Sequence, residues 1–147
     1  METFQLNIVS ADRALFAGKA AFVVAPLAEG EAGFLPGHSP LLGRLKAGAM
    51  RVRDEAGVEQ TFYVSGGFVE VQPDRVTVLA DNSERAADID EALALQAVED
   101  AEQALRDRLE KVDYARAESE LAEAIARLRV ARAHKGQGSR LPPDYVG

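Results

Sequence analysis

Few residues in this chain are equipped for chemistry. His38 and His134 are its only histidines, and it has no cysteine. His38 precedes Ser39 in the stretch "EGEAGFLPGHSPLLGRL", residues 29–45. A hydroxyl nucleophile with a histidine base needs a third group to orient the imidazole, and nothing in this stretch supplies one. With one histidine in each half and no thiolate, a transition metal lacks donors. No G-x-x-x-x-G-K-[ST] run cradles a phosphate. Gly30, Gly33 and Gly37 do not lead into a helix that would aim its amides at an anion. The residues thus point to no catalytic group, no metal and no cofactor. Two readings of the stretch remain. Gly33 and Gly37 permit unusual φ while Pro36 and Pro40 stiffen the chain, so it could be a preformed docking surface presenting Glu31 and His38. It could also be an ordinary tight turn with His38 exposed.

The elements that must carry these residues divide the chain in two. Residues 1–87 hold nine glycines and four prolines, whereas residues 88–135 hold neither and carry twelve alanines. A step of this size marks a change of architecture. In the first part, "FQLNIV" alternates apolar and polar residues as a half-buried strand does. "AAFVVAP" is a continuous apolar run and suits a strand covered on both faces. "AMRVRDEAGVEQTFYVSGG" reads as strand, turn at Glu55-Ala56-Gly57, strand. "FVEVQPDRVTVLA" reads as two strands about a Pro73-Asp74 turn. Many short strands with regular turns indicate a sandwich or barrel.

The second part reads as helix. Asp88, Ile89 and Asp90 offer a carboxylate cap ahead of Glu91. Ala94, Ala97, Val98, Ala101, Leu105 and Leu109 form one apolar stripe. Ala117, Leu121, Ala124, Ile125, Leu128 and Ala131 form another. Asp113 is placed to cap the second helix, Gly136 to close it, and residues 136–147 read as a flexible tail. An antiparallel pair seamed largely by alanine buries little, at about 0.8 kcal/mol per methyl. No glycine or proline forbids one continuous helix, which would be on the order of 70 Å long. Hairpin and rod are both open, as in a two-packing switch.

Charge narrows the partners. The net charge is −7, against nucleic-acid binding. No basic run precedes an apolar block at the start, and no window of about 18 apolar residues occurs, so neither a signal peptide nor direct membrane insertion is expected. From 88 to 123 there are twelve acids and four bases, yet from 124 to 135 only Arg127, Arg129, Arg132 and Lys135 carry charge. These four either complement a helix C-terminus or form a basic grip on an acidic surface.

Three blocks, "GEAGFLPGHSPLL", "YVSGGFVEVQPDRVTVLAD" and "VDYARAESELAEAIARLRV", stand in an order and spacing that resemble the epsilon-subunit family of the F-type ATP synthase. "FQLNIVSADRALFAG" matches it too, so the resemblance covers residues 3 to about 135. It implies an α+β fold: a β-sandwich of about ten strands, residues 1–87, followed by an antiparallel two-helix hairpin, residues 88–135. It also implies a non-catalytic, peripheral subunit on the cytoplasmic face of the bacterial inner membrane. Its partners would be the gamma subunit and the c-ring, with the catalytic alpha and beta subunits reached in an extended state. The sandwich would couple proton flow to ATP synthesis, and the helices would inhibit ATP hydrolysis. Glu31 and His38 stand where the family's ring contacts fall. Arg127, Arg129, Arg132 and Lys135 stand where the inhibitory helix meets an acidic segment of the beta subunit. Some members bind ATP through an I/L-D-x-x-R-A motif. Here Ile89, Asp90 and Ala94 match, Leu93 replaces the arginine, and Glu84 takes the place of an accompanying acid. Two alternatives stand beside this reading. One is an ATP-binding sensor that borrows Arg127 or Arg129. The other is a stand-alone sandwich module with a helical dimerisation tail.

Overall fold

The computed structural model describes residues 2–107 and 111–135. Seven strands and two helices account for most of them: β1 (Phe4–Ser10), β2 (Arg13–Leu27), β3 (Gly30–Phe34), β4 (Leu41–Arg44), β5 (Gly48–Asp54), β6 (Glu59–Gln72), β7 (Arg75–Arg85), α1 (Glu91–Arg106) and α2 (Lys111–Lys135). The strands run in the order β1-β7-β6-β5-β2-β3, β4 joins β6, and a β1–β2 pairing closes the sheet on itself. β1 and β7 are parallel, while the remaining pairs are antiparallel.

The family resemblance implies about ten strands, and among the described residues the backbone runs through seven longer ones. β2 pairs with β1 along its first half and with β3 and β5 along its second. β6 pairs with β5 first and with β4 later. Such strands serve both layers of a flattened sandwich, and irregularities let them turn. Leu15 and Ala21 sit where the register of β2 shifts, as bulged residues do. In β6 the turning point is Gly66-Gly67, with φ of 67° and 94°. A Cβ on Gly67 would collide with the Leu79 carbonyl oxygen, so only glycine fits.

The period-2 pattern fixes the core. Phe4, Leu6 and Ile8 point inward from β1, Val69 and Val71 from β6, and Val76, Val78 and Ala80 from β7. The apolar run of β2 is buried on both sides from Ala20 to Leu27, as its composition requires. The tight turns fall at the residues that suit them. Asp54 accepts from the Ala56 and Val58 amides across the β5–β6 turn, and Gly57 there has φ 84°. Gln72 pairs with Arg75 across Pro73-Asp74. Gly37 takes φ 87° and Gly30 φ 133°, but Gly33, expected to need such freedom, lies in ordinary strand geometry in β3.

The helices form a hairpin. Asp90 caps α1 by accepting the Leu93 amide at 3.1 Å. Ala94 and Val98, near the start of α1, pack in one cluster with Leu121, Ile125, Leu128 and Ala131 of α2, so the pair is antiparallel. That cluster reaches the sheet through Ala47, Ala49 and Tyr63, with Ala86 and Ile89 at the joint. From the two expected stripes, Ala94 and Val98 meet Leu121, Ala124, Ile125, Leu128 and Ala131 in this cluster, Ala97 remains exposed, and Leu109 lies outside the described residues. Asp113 sits inside the first turn of α2 rather than capping it. Gly136 and the tail at 136–147 also lie outside the described residues.

Candidate functional site

Three surfaces gather the residues that matter, and none assembles a catalytic group. The first lies around β3. Glu31 belongs to the strand itself and accepts a 2.6 Å ion pair from Arg51 Nη2. His38 sits beyond the strand, half-buried. Its ring lies edge-on to Phe34 with centroids 5.0 Å apart, and its Nδ1 is 2.7 Å from the Ser39 carbonyl oxygen. The neighbouring Gly37 amide donates to the Pro73 oxygen at 2.8 Å, which ties this turn to the β6–β7 turn. The stretch is therefore held from two sides, as a shaped contact surface requires. Among the described residues, the polar contact of the imidazole is with the Ser39 backbone oxygen.

The second surface is the joint between sandwich and hairpin. Arg127 on α2 grips Glu84 on β7 with a two-point contact, Nε to Oε2 at 2.6 Å and Nη2 to Oε1 at 2.9 Å. The Glu84 hydrogen bond raises the Arg127 pKa, opposed by partial burial. Nearby, the Tyr63 hydroxyl donates to the Glu123 carbonyl oxygen at 3.3 Å. Burial pushes the Tyr63 phenol above its usual 10.0, aided by the charges of Glu123 and Glu84 and opposed by Ser65 and Arg127. These residues line a cavity of about 460 Å³. Among the described residues its charged lining is Asp12, Asp81, Glu84, Glu120 and Glu123 against Arg13 and Arg127. The motif residues beside it have structural work. Ile89 is buried in the joint and Asp90 caps α1, whereas Leu93 is 67% exposed. Of the four basic residues at the end of α2, Arg127 is engaged here, and Arg129, Arg132 and Lys135 are exposed.

The third surface escaped the sequence reading. Leu42, Phe68 and Leu79 are 70%, 48% and 54% exposed. Phe68 pairs with Leu79, and both Arg44 of β4 and Val9 of β1 align with that pair, so these residues share the outward face. A groove of about 710 Å³ runs along it past Val9, Leu45 and Gly67. The helices instead cover β5 and the first half of β6, leaving this face open. The signal was present in the alternation: if Val69 and Val78 point in, Phe68 and Leu79 must point out.

The family described as "ATP synthase, Delta/Epsilon chain, beta-sandwich domain" matches residues 3–86, and its "long alpha-helix domain" matches residues 87–132. The chain is 56% identical to an ATP synthase epsilon chain of Nitrosococcus oceani over 86% of this chain and 91% of that one. It is 50% identical to one of Halorhodospira halophila over 95% of this chain and all of that one. Its fold is similar to a chain in the Euglena gracilis mitochondrial ATP synthase structure (OSCP/F1/c-ring), with TM-score 0.75 at 22% identity, covering 84% of this chain and 78% of that one. A chain in the Tetrahymena thermophila mitochondrial ATP synthase structure, central stalk and c-ring, gives TM-score 0.60 at 14% identity over 88% and 97%.

Proposed function

Since this chain belongs to the ATP synthase epsilon-chain family, we propose that it acts as a non-catalytic subunit of the rotating central stalk, coupling ring rotation to ATP synthesis. The observation that carries this reading is the outward apolar face of Leu42, Phe68 and Leu79. A folded sandwich gains nothing from exposing a phenylalanine and two leucines side by side, and such a patch marks a contact with another protein. The gamma subunit is the proposed occupant, since the family resemblance implies a sandwich that binds gamma. The turn carrying His38, with Glu31 on the adjoining strand, meets the c-ring. It does so as a stiff surface that loses little entropy on docking.

The helical part, residues 88–135, is proposed as a regulatory element separable from the sandwich, residues 1–87. Its alanine-rich seam closes weakly, and α1 contributes only Ala94 and Val98 as buried residues. In an extended state Arg129, Arg132 and Lys135, joined by Arg127 once it leaves Glu84, would meet an acidic segment of the catalytic subunits. In this reading the chain works as a peripheral subunit at the cytoplasmic face of the bacterial inner membrane. No helix among the described residues is long and apolar enough to cross a membrane. ATP sensing is disfavoured because the cavity at the joint is lined mainly by carboxylates, which repel a polyphosphate. The test is co-purification with gamma. Leu42→Asp with Phe68→Asp should abolish it while the chain stays folded. Undiminished co-purification would remove this face from the interface.

A further inference from the structure

A third cavity, of about 400 Å³, lies between the last turns of α2 and the β3–β5 surface. Its charged lining among the described residues is Lys46, Arg51 and Arg129 against Glu31 alone. Glu31 is already held by Arg51 Nη2 at 2.6 Å, while Arg51 Nε is shielded from solvent without a hydrogen-bond partner. A net positive hollow is conspicuous in a chain of net charge −7. Like charges from two elements that dock against each other cost free energy unless something neutralises them. The floor is Ala47, Gly48 and Ala49, and the helix side is Ala126, Val130 and Ala133. Small side chains there leave room for a ligand, but none offers an aromatic ring on which a base could stack.

We propose that this cavity is a binding site for inorganic phosphate, held by Lys46 of the sandwich and Arg129 of α2 with Arg51 behind them. A guanidinium fork and an ammonium are the usual donors to a phosphate dianion. The absent stacking ring selects the small anion over a nucleotide. Because the donors come from both sides of the joint, bound phosphate bridges α2 to the sheet. Its stabilisation of the docked hairpin grows with the logarithm of one plus its concentration over its dissociation constant. The site stands apart from the Glu84–Arg127 joint and requires nothing of the stalk assignment.

The experiment is calorimetric titration of the full chain with sodium phosphate, against sodium chloride at equal ionic strength. It is paired with hydrogen exchange of α2. The expected result is saturable one-to-one binding with slower exchange in α2. Lys46→Ala with Arg129→Ala should weaken binding by roughly tenfold or more, the loss of charge-assisted contacts. Both side chains are exposed, so the fold should survive their removal, and a thermal melt without phosphate no lower than that of the unaltered chain confirms it. No saturable binding, equal binding by the double variant, or the same response to chloride would each overturn the proposal. Capture of the chain by phosphatidylglycerol vesicles without binding of free phosphate would overturn it too, assigning the cavity to a lipid headgroup.

Discussion

At the scale of single residues, Leu93 is the position that we propose disables nucleotide recognition. It stands exposed in the first turn of α1, at the motif position where the resemblance implies arginine in ATP-binding members, and a leucine offers phosphate oxygens nothing. Calorimetry with ATP should find no binding tighter than about 1 mM. Leu93→Arg should raise the affinity roughly tenfold, the value of a new charge-assisted contact. Micromolar binding by the unaltered chain would refute this. The Arg127–Glu84 pair is a second test. Both side chains are about 30% exposed, which limits the pair to about 1 kcal/mol. A double-mutant cycle on Arg127→Ala and Glu84→Ala, read by thermal melts, should return a coupling of that size, and zero would make the pair incidental. Tyr63 gives the joint a pH dependence. Its folded pKa is raised, so the folded state favours the neutral phenol. The stability this brings is fully present below the unfolded value of 10.0 and is lost as pH rises through the folded value. Tyr63→Phe should flatten the alkaline fall in thermal stability, and an unaltered slope would exclude the phenol as its source.

At the scale of elements, the sequence disclosed what local pattern controls. Alternation in β1, β6 and β7 gave the inward faces, the turns at Gly57 and Pro73 were legible from turn chemistry, and Asp90 was legible as a cap. What it withheld depends on long-range pairing. Nothing local says that β2 leaves β1 for β5 midway, or that Glu31 finds Arg51 twenty residues on. Arg127 read as one of four basic residues at a helix end, and its grip on Glu84 was not legible because that partner lies forty-three residues away. The Gly66-Gly67 kink yields a sharp element-level expectation. Gly67→Ala must displace the Leu79 carbonyl and adopt a positive φ, and should cost at least about 2 kcal/mol. Chemical denaturation measures it, and a loss below about 0.5 kcal/mol would mean the strand relaxes there without cost.

At the scale of the whole molecule, the sandwich and the hairpin bear different duties in this account. In the proposed function the sandwich's open apolar face serves the stalk neighbour and its stiff turn the ring, while the hairpin folds against other strands through a thin seam. The central claim is that the chain transmits rotation without performing chemistry. The most direct measurement is made on the reconstituted ATP synthase, comparing ATP synthesis driven by a proton gradient with ATP hydrolysis. Three preparations are needed: lacking the chain, carrying residues 1–87, and carrying the full chain. The account predicts that complexes without the chain hydrolyse ATP but do not synthesise it. Residues 1–87 should restore synthesis with hydrolysis elevated, and the full chain should restore synthesis while holding hydrolysis down. Full-rate synthesis in complexes lacking the chain, or loss of all hydrolysis on its removal, would contradict it.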